Sequence, residues 1–136
     1  MRVQEGSIVP ETINWAFSVA AVDGPRVAGS DALNVDAYDK ASVALSAGAT
    51  DVDVQVQPST TAGRVRVLVI GSSAYDSGIT FSADAGTTDF ALDGPVVLIG
   101  TGAVELLADA PQTLRFSNTT TGDVTVDILV GRDPAP

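Results

Sequence analysis

Apolar and polar residues alternate along much of this 136-residue chain, with the spacing of half-buried β-strands rather than of helices. The first clear segment is residues 12–19, where one face would carry Ile13, Trp15, Phe17 and Val19. Polar or small residues occupy the positions between them. The segment therefore predicts a strand with one apolar face.

Short alternating segments return at residue 42 and are separated by turn residues at roughly 8–12-residue intervals. The strands predicted from this pattern lie at residues 42–46, 51–57, 64–70, 79–82, 90–92, 96–99, 103–107, 114–116 and 124–130. Residues 26–41 show no clear period and are expected to be irregular, with at most one short helical turn. The fold class predicted is all-β, a two-sheet antiparallel sandwich of jelly-roll-like type.

The N-terminal segment, residues 1–11, is predicted to form an extended arm. It carries Val3, Ile8 and Val9, but one glycine and one proline interrupt any regular element. Such a segment can add to the edge of a neighbour's sheet through main-chain hydrogen bonds. A frayed terminus is the open alternative.

The rest of the chain fits a single domain, because a chain of this length can bury a sufficient core without disulfides. We expect one sandwich over residues 12–133 and a flexible tail over 134–136. Trp15 has apolar neighbours on its face, which favours a core or interface position over stacking on a sugar. The candidate partner-binding residues are Val3, Ile8, Val9 and Trp15.

Catalytic chemistry is poorly represented in the composition. The chain has no histidine and no cysteine, so the commonest general base, the commonest metal ligand and any thiolate are missing. A serine paired with the single lysine, Lys40, lacks the required spacing because residue 37 is alanine. The sequence therefore predicts a protein that is not an enzyme and that carries no cofactor.

The formal net charge is −10. Nucleic-acid binding requires basic residues that neutralise phosphates, so this charge argues against a nucleic-acid partner, and likewise against an anionic membrane. No apolar run approaches the roughly 20 residues that cross a bilayer. The N-terminus has no signal-peptide pattern, which predicts synthesis in a cytoplasm.

Several acidic residues keep a binding role open. Asp51 and Asp53 would lie on one strand face about 7 Å apart. Two such carboxylates could serve a hydrolase or bind a calcium ion, but the favoured interpretation is that they form the solvent-facing side of an alternating strand. Loop acids could converge on Ca²⁺ at one end of a sandwich. These are Asp76, Asp84, Asp89 and Asp93. A carbohydrate- or calcium-binding module is therefore the alternative function.

Two short motif matches carry less weight. Gly100 and Gly102 lack the third glycine of a dinucleotide-binding loop, and a hairpin turn with no following helix is predicted there. Residues 118–120 match a glycosylation acceptor, which is interpreted as a chance match because no secretion signal precedes it.

The C-terminal half contains the segments Phe90–Leu98, Leu114–Thr120 and Val126–Asp133, rich in Val, Ala, Asp, Gly and Thr. In its use of these residues, its lack of cysteine and its short strands, it resembles accessory virion proteins of tailed bacteriophages, in particular capsid decoration (cement) proteins. The resemblance implies a β-rich homo-oligomer, with a trimer favoured, that binds the major capsid protein on the capsid exterior and reaches its neighbours with a terminal arm. Tail-tube or fibre components are a near alternative.

Overall fold

A computed structural model of the chain describes residues 11–35, 37–56, 64–84, 86–108 and 111–132. These residues form ten strands and one short helix, so the predicted all-β class is confirmed. The elements are β1 (Glu11–Ala20), β2 (Arg26–Val35), β3 (Ala37–Leu45), β4 (Val52–Gln55), β5 (Val65–Ser72), β6 (Asp76–Ala83), β7 (Phe90–Leu92), β8 (Val96–Ile99), α1 (Thr101–Glu105), β9 (Thr113–Asn118) and β10 (Val124–Arg132). Across the described ranges no helix is long and apolar enough to span a bilayer.

Eight of the strands form two packed antiparallel sheets. The β10 sheet has the order β3-β10-β5-β8, and the β9 sheet has the order β4-β9-β6-β7. Successive strands mostly alternate between the two sheets, and the first and last strands of the set, β3 and β10, are neighbours. This is the strand arrangement of a jelly roll, and it confirms the predicted sandwich.

The core lies between these two sheets and is built from alternate residues of both. The largest side chains that are almost fully buried are Phe116, Leu45, Leu68, Ile70, Ile79, Leu92, Leu114 and Ile128. Phe116 is tilted against Phe81, with ring centroids 5.9 Å apart, and Phe81 in turn contacts Phe90 at 5.5 Å. Three of the four phenylalanines are thus gathered in one layer of the core, while valine, leucine and isoleucine fill the rest.

The prediction that residues 26–41 are irregular was wrong. They fall in β2 and β3, apart from Asp36, which lies outside the described residues. In β2 the odd-numbered face is apolar at both ends, but Gly29 and Asp31 interrupt it, so no continuous alternation of apolar residues marks the strand. Cross-strand pairing with β1 holds it extended.

The expectation of a hairpin turn and a strand near residues 100–107 was also wrong, because α1 begins at Thr101. Gly100 adopts φ 98°, a backbone conformation that glycine reaches without steric cost. The following turn places Val104 in the core, where it is 1% exposed. A single buried valine therefore anchors this short helix.

Asn118 ties two connections together at one end of the sandwich, the one between β3 and β4 and the one between β9 and β10. Its side-chain amide donates to the carbonyls of Leu45, Ser46 and Gly122 at 3.2, 3.4 and 2.9 Å. Its oxygen accepts from the backbone N–H and the hydroxyl of Thr120. The side chain is fully buried, so the glycosylation match at this position is not accessible in the folded protein.

Candidate interaction surface

The first two strands form a separate two-stranded sheet, called here the hairpin (residues 11–35). β1 and β2 pair antiparallel over ten residues each, from Glu11 opposite Val35 to Ala20 opposite Arg26. Ten residues of strand span about 33 Å. The turn closes with hydrogen bonds from Ala21 N–H to Pro25 O and from Gly24 N–H to Ala21 O.

The two faces of the hairpin differ in chemistry, because the register brings odd-numbered residues of both strands to one face. The apolar members of that face are Ile13, Trp15, Phe17, Val19, Val27, Leu33 and Val35. The same face also carries Glu11 and Asp31. The opposite face carries small or polar side chains, including Asn14, Ser18 and Ser30.

The base of the hairpin packs on the outer face of the β10 sheet, at Gly131. A Cβ at this glycine would stand 2.6 Å from Ile13 Cδ1 and 3.4 Å from Val35 Cγ1, so the absence of a side chain permits the contact. Arg66 adds a hydrogen bond from its guanidinium to Asn34 O at 3.0 Å. Val35 is accordingly only 1% exposed.

Toward its tip the apolar face becomes open to solvent. Phe17 is 41% exposed, Val27 66%, Val19 69% and Val22, in the turn, 94%. Exposed apolar residues occur singly on most soluble proteins, whereas a contiguous group marks a surface that binds another molecule. The hairpin presents such a group.

Trp15 lies on this face, and the structure places it on the hairpin rather than between the two packed sheets. It is half-buried and stacks on Phe17, with ring centroids 6.0 Å apart. Both rings lie over Gly29, where a Cβ would be 3.1 Å from Phe17 Cε1. The other predicted partner-binding residues, Val3, Ile8 and Val9, lie outside the described residues.

A groove of about 490 Å³ separates the hairpin from the outer face of β8. The residues that line this outer groove are Ala16, Phe17, Val19, Pro95, Val97, Ile99 and Ala103. None of them carries a charge, although the chain as a whole has 17 acidic residues. The sequence did not indicate this groove, because it depends on how the hairpin lies over the sheet.

The predicted acidic pair occupies β4 and its approach. Asp53 accepts from Arg115 on β9, with Nε–Oδ1 2.8 Å and Nη2–Oδ2 3.2 Å. The hydrogen bond from Arg115 lowers the pKa of Asp53, and the same contact raises the pKa of Arg115. Both groups are solvent-exposed, so the pair orders the outer face of the β9 sheet and adds little stability.

Two of the predicted loop acids accept hydrogen bonds from the backbone. Asp84 Oδ1 accepts from Gln112 N–H and Thr113 N–H at 2.7 and 2.9 Å, and Asp76 Oδ1 accepts from Gly78 N–H at 2.7 Å. Asp53, Asp84, Gln112, Thr113 and Arg115 line a polar cavity of about 270 Å³. Within the part of the chain that the structure describes, no three acidic residues are placed to hold a metal ion together.

Comparison with protein-family models, with curated proteins and with solved structures finds no match to this chain.

Proposed function

We propose that this chain is a structural virion protein that decorates the exterior of a phage capsid, where it associates with further copies of itself and binds the major capsid protein. The hairpin is the proposed capsid-binding element. The observation that carries the proposal is its apolar face, which the described residues of the chain leave open toward the tip.

A solvent-exposed hairpin of this kind needs an explanation, because a two-stranded ribbon is marginally stable by itself in water. Covering Val19, Val22 and Val27 with a partner would remove apolar surface from water and supply the missing stabilisation. A partner surface is therefore a physical reason for the hairpin to retain these residues.

Two further properties support a place on the outside of a particle. A subunit with a net charge of −10 is repelled by packaged nucleic acid. Jelly rolls are used in viral capsid proteins, although they also occur in lectins, so the fold supports the proposal only as an analogy.

The lectin analogy keeps the carbohydrate- or calcium-binding module as a second candidate. The polar cavity around Asp53 and Asp84 is the observation that favours it. A ligand that binds only the folded state raises the melting temperature. A Ca²⁺- or glycan-dependent rise that Asp84→Asn removes would support this module over the structural role.

The capsid proposal is tested on particles of the phage that encodes the chain. Intact particles, purified on a density gradient and labelled with gold-conjugated antibody against this protein, are expected to carry label over the outer shell. Particles produced without the chain are expected to regain it when purified protein is added. Label confined to the tail, or absence of the chain from the particles, would contradict the proposal.

Substitutions on the two faces of the hairpin test whether its apolar face binds the shell. The double substitution Phe17→Asp and Val19→Asp places two charges on the apolar face and is expected to weaken rebinding to undecorated particles by at least about a hundredfold, since each buried unpaired charge costs several kcal/mol. Ser18→Asp places a charge on the opposite face of β1 and is the matched control. Equal rebinding of the two variants would show that the apolar face does not bind the shell.

A further inference from the structure

β8 (Val96–Ile99) is the edge strand of the β10 sheet, with β5 as its only neighbour among the described strands. Its four residues are Val, Val, Leu and Ile. Natural proteins usually protect an edge with charged residues, bulges or a covering element, because an open edge can pair with another chain. No charged side chain lies in β8 itself, so its protection is limited to its short length and to Pro95, which precedes it.

The free edge of β8 offers main-chain hydrogen-bonding groups. Gly100 N–H donates to Arg66 O on β5 at 2.7 Å. Hydrogen-bonded and non-bonded pairs alternate along an antiparallel ladder, so the N–H and C=O groups of Val97 and Ile99 point away from β5. These two residues are therefore the ones that an added strand would pair with.

Both sides of β8 open onto apolar space. On the outer side, Val97 and Ile99 line the outer groove, and Val97 is 51% exposed. On the inner side, Val96 and Leu98 line a second apolar cavity of about 260 Å³, which also contacts Leu106. Leu106 is 82% exposed although it borders this apolar cavity.

We infer that two copies of this chain pair through β8 about a two-fold axis, which joins their β10 sheets into one continuous antiparallel sheet of eight strands. Such a contact uses the same patch on both copies, as two-fold interfaces require. The inference goes beyond the proposed capsid binding and does not depend on it.

The apolar residues of β8 favour a second copy of this chain as the strand that pairs with its free edge. A strand added here must present apolar residues on both faces, because one set faces the outer groove and the other faces the inner cavity. β8 itself meets that requirement. A two-fold axis normal to the sheet sets outward residues against outward residues, so Val97 pairs with the partner's Val97 or the partner's Ile99.

Charge points to the same surface. Two molecules of net charge −10 repel one another over most of their surface. Residues 94–104, however, contain no charged residue, and they lie between Asp93 and Glu105. Approach through this neutral segment minimises the repulsion between the two copies, whereas an approach through the acidic loops does not.

The test is the solution mass of the full chain and of a variant, Val97→Lys, measured by light scattering over a range of concentrations. The wild-type protein is expected at twice the chain mass of 13.8 kDa. Val97→Lys is expected to raise the dimer dissociation constant at least about tenfold, because the lysine would face either the same lysine or the partner's Ile99. Like charges across strands, or an unpaired charge buried against an apolar side chain, are destabilising. Val97 is half-exposed, so unchanged circular dichroism verifies that this variant folds, and its melting is compared with wild type at a concentration at which both proteins are monomeric.

Ala44→Lys is the matched control, since Ala44 is exposed on β3, the opposite edge strand of the same sheet. It changes the net charge equally and is expected to leave the dimer intact. The chain has no cysteine, so Val97→Cys with a short thiol crosslinker is expected to give one covalent dimer. A monomer at all concentrations, or a trimer that Val97→Lys leaves intact, overturns the pairing and leaves the capsid proposal standing.

Discussion

Replacement of Phe116 by alanine is expected to lower the free energy of unfolding by about 3–5 kcal/mol, the usual cost of removing a large aromatic side chain from a closed core. Phe116 is 0% exposed and contacts Phe81 across a centroid distance of 5.9 Å. The surrounding strands are held by ladders on both sides, so the cavity cannot collapse fully. Urea unfolding at equilibrium measures the effect.

The matched control is Phe17→Ala, the same chemical change on the hairpin. Phe17 is 41% exposed and stacks only on Trp15 among the aromatic residues described. We expect a loss of less than about 1 kcal/mol in the free protein, as at other partly exposed sites. A loss from Phe17→Ala as large as that from Phe116→Ala would mean that the hairpin face is part of the structural core.

Asn118→Ala is expected to destabilise the fold by about 3 kcal/mol. The substitution removes five hydrogen-bonding contacts and leaves the buried carbonyl of Leu45 without this donor. An unsatisfied buried polar group costs about 1–3 kcal/mol, and the two connections that Asn118 joins would also loosen.

Asn34→Ala provides the comparison, because Asn34 is an exposed asparagine whose side chain accepts one hydrogen bond, from Thr12 Oγ1 at 3.1 Å. We expect this variant to change stability by less than about 0.5 kcal/mol. Thermal and urea unfolding of both proteins check the pair. If Asn118→Ala unfolds with the same midpoint as wild type, the amide does not hold the two connections together.

Alternation along the chain predicted the sandwich strands because most of these strands bury one face. In β9, Leu114, Phe116 and Asn118 point inward while Thr113, Arg115 and Ser117 point outward. The polar and apolar residues follow that division except at Asn118, which is polar and buried. The prediction failed in β2, where Gly29 and Asp31 interrupt the apolar residues of the odd-numbered face. A strand whose apolar face is interrupted in this way carries no clear periodic signal.

The site was only partly predictable for a related reason. The apolar stripe containing Trp15 and Phe17 was visible in the sequence, but an alternating strand has the same pattern whether it faces a core or solvent. The open edge of β8 was not visible at all. Edge position depends on strand order, which arises from long-range pairing with β5 and not from local residues.

The account rests on the claim that the apolar face of the hairpin is a binding surface and not part of the fold's core. Amide hydrogen exchange of the chain, free in solution and on decorated particles, tests this most directly. We predict that amides of residues 11–35 exchange faster than those of β5 and β10 in the free protein and slow down on the particle. The claim is contradicted if the hairpin amides are as protected as the β10 amides in the free protein. It is also contradicted if the hairpin amides exchange equally fast in the free protein and on the particle.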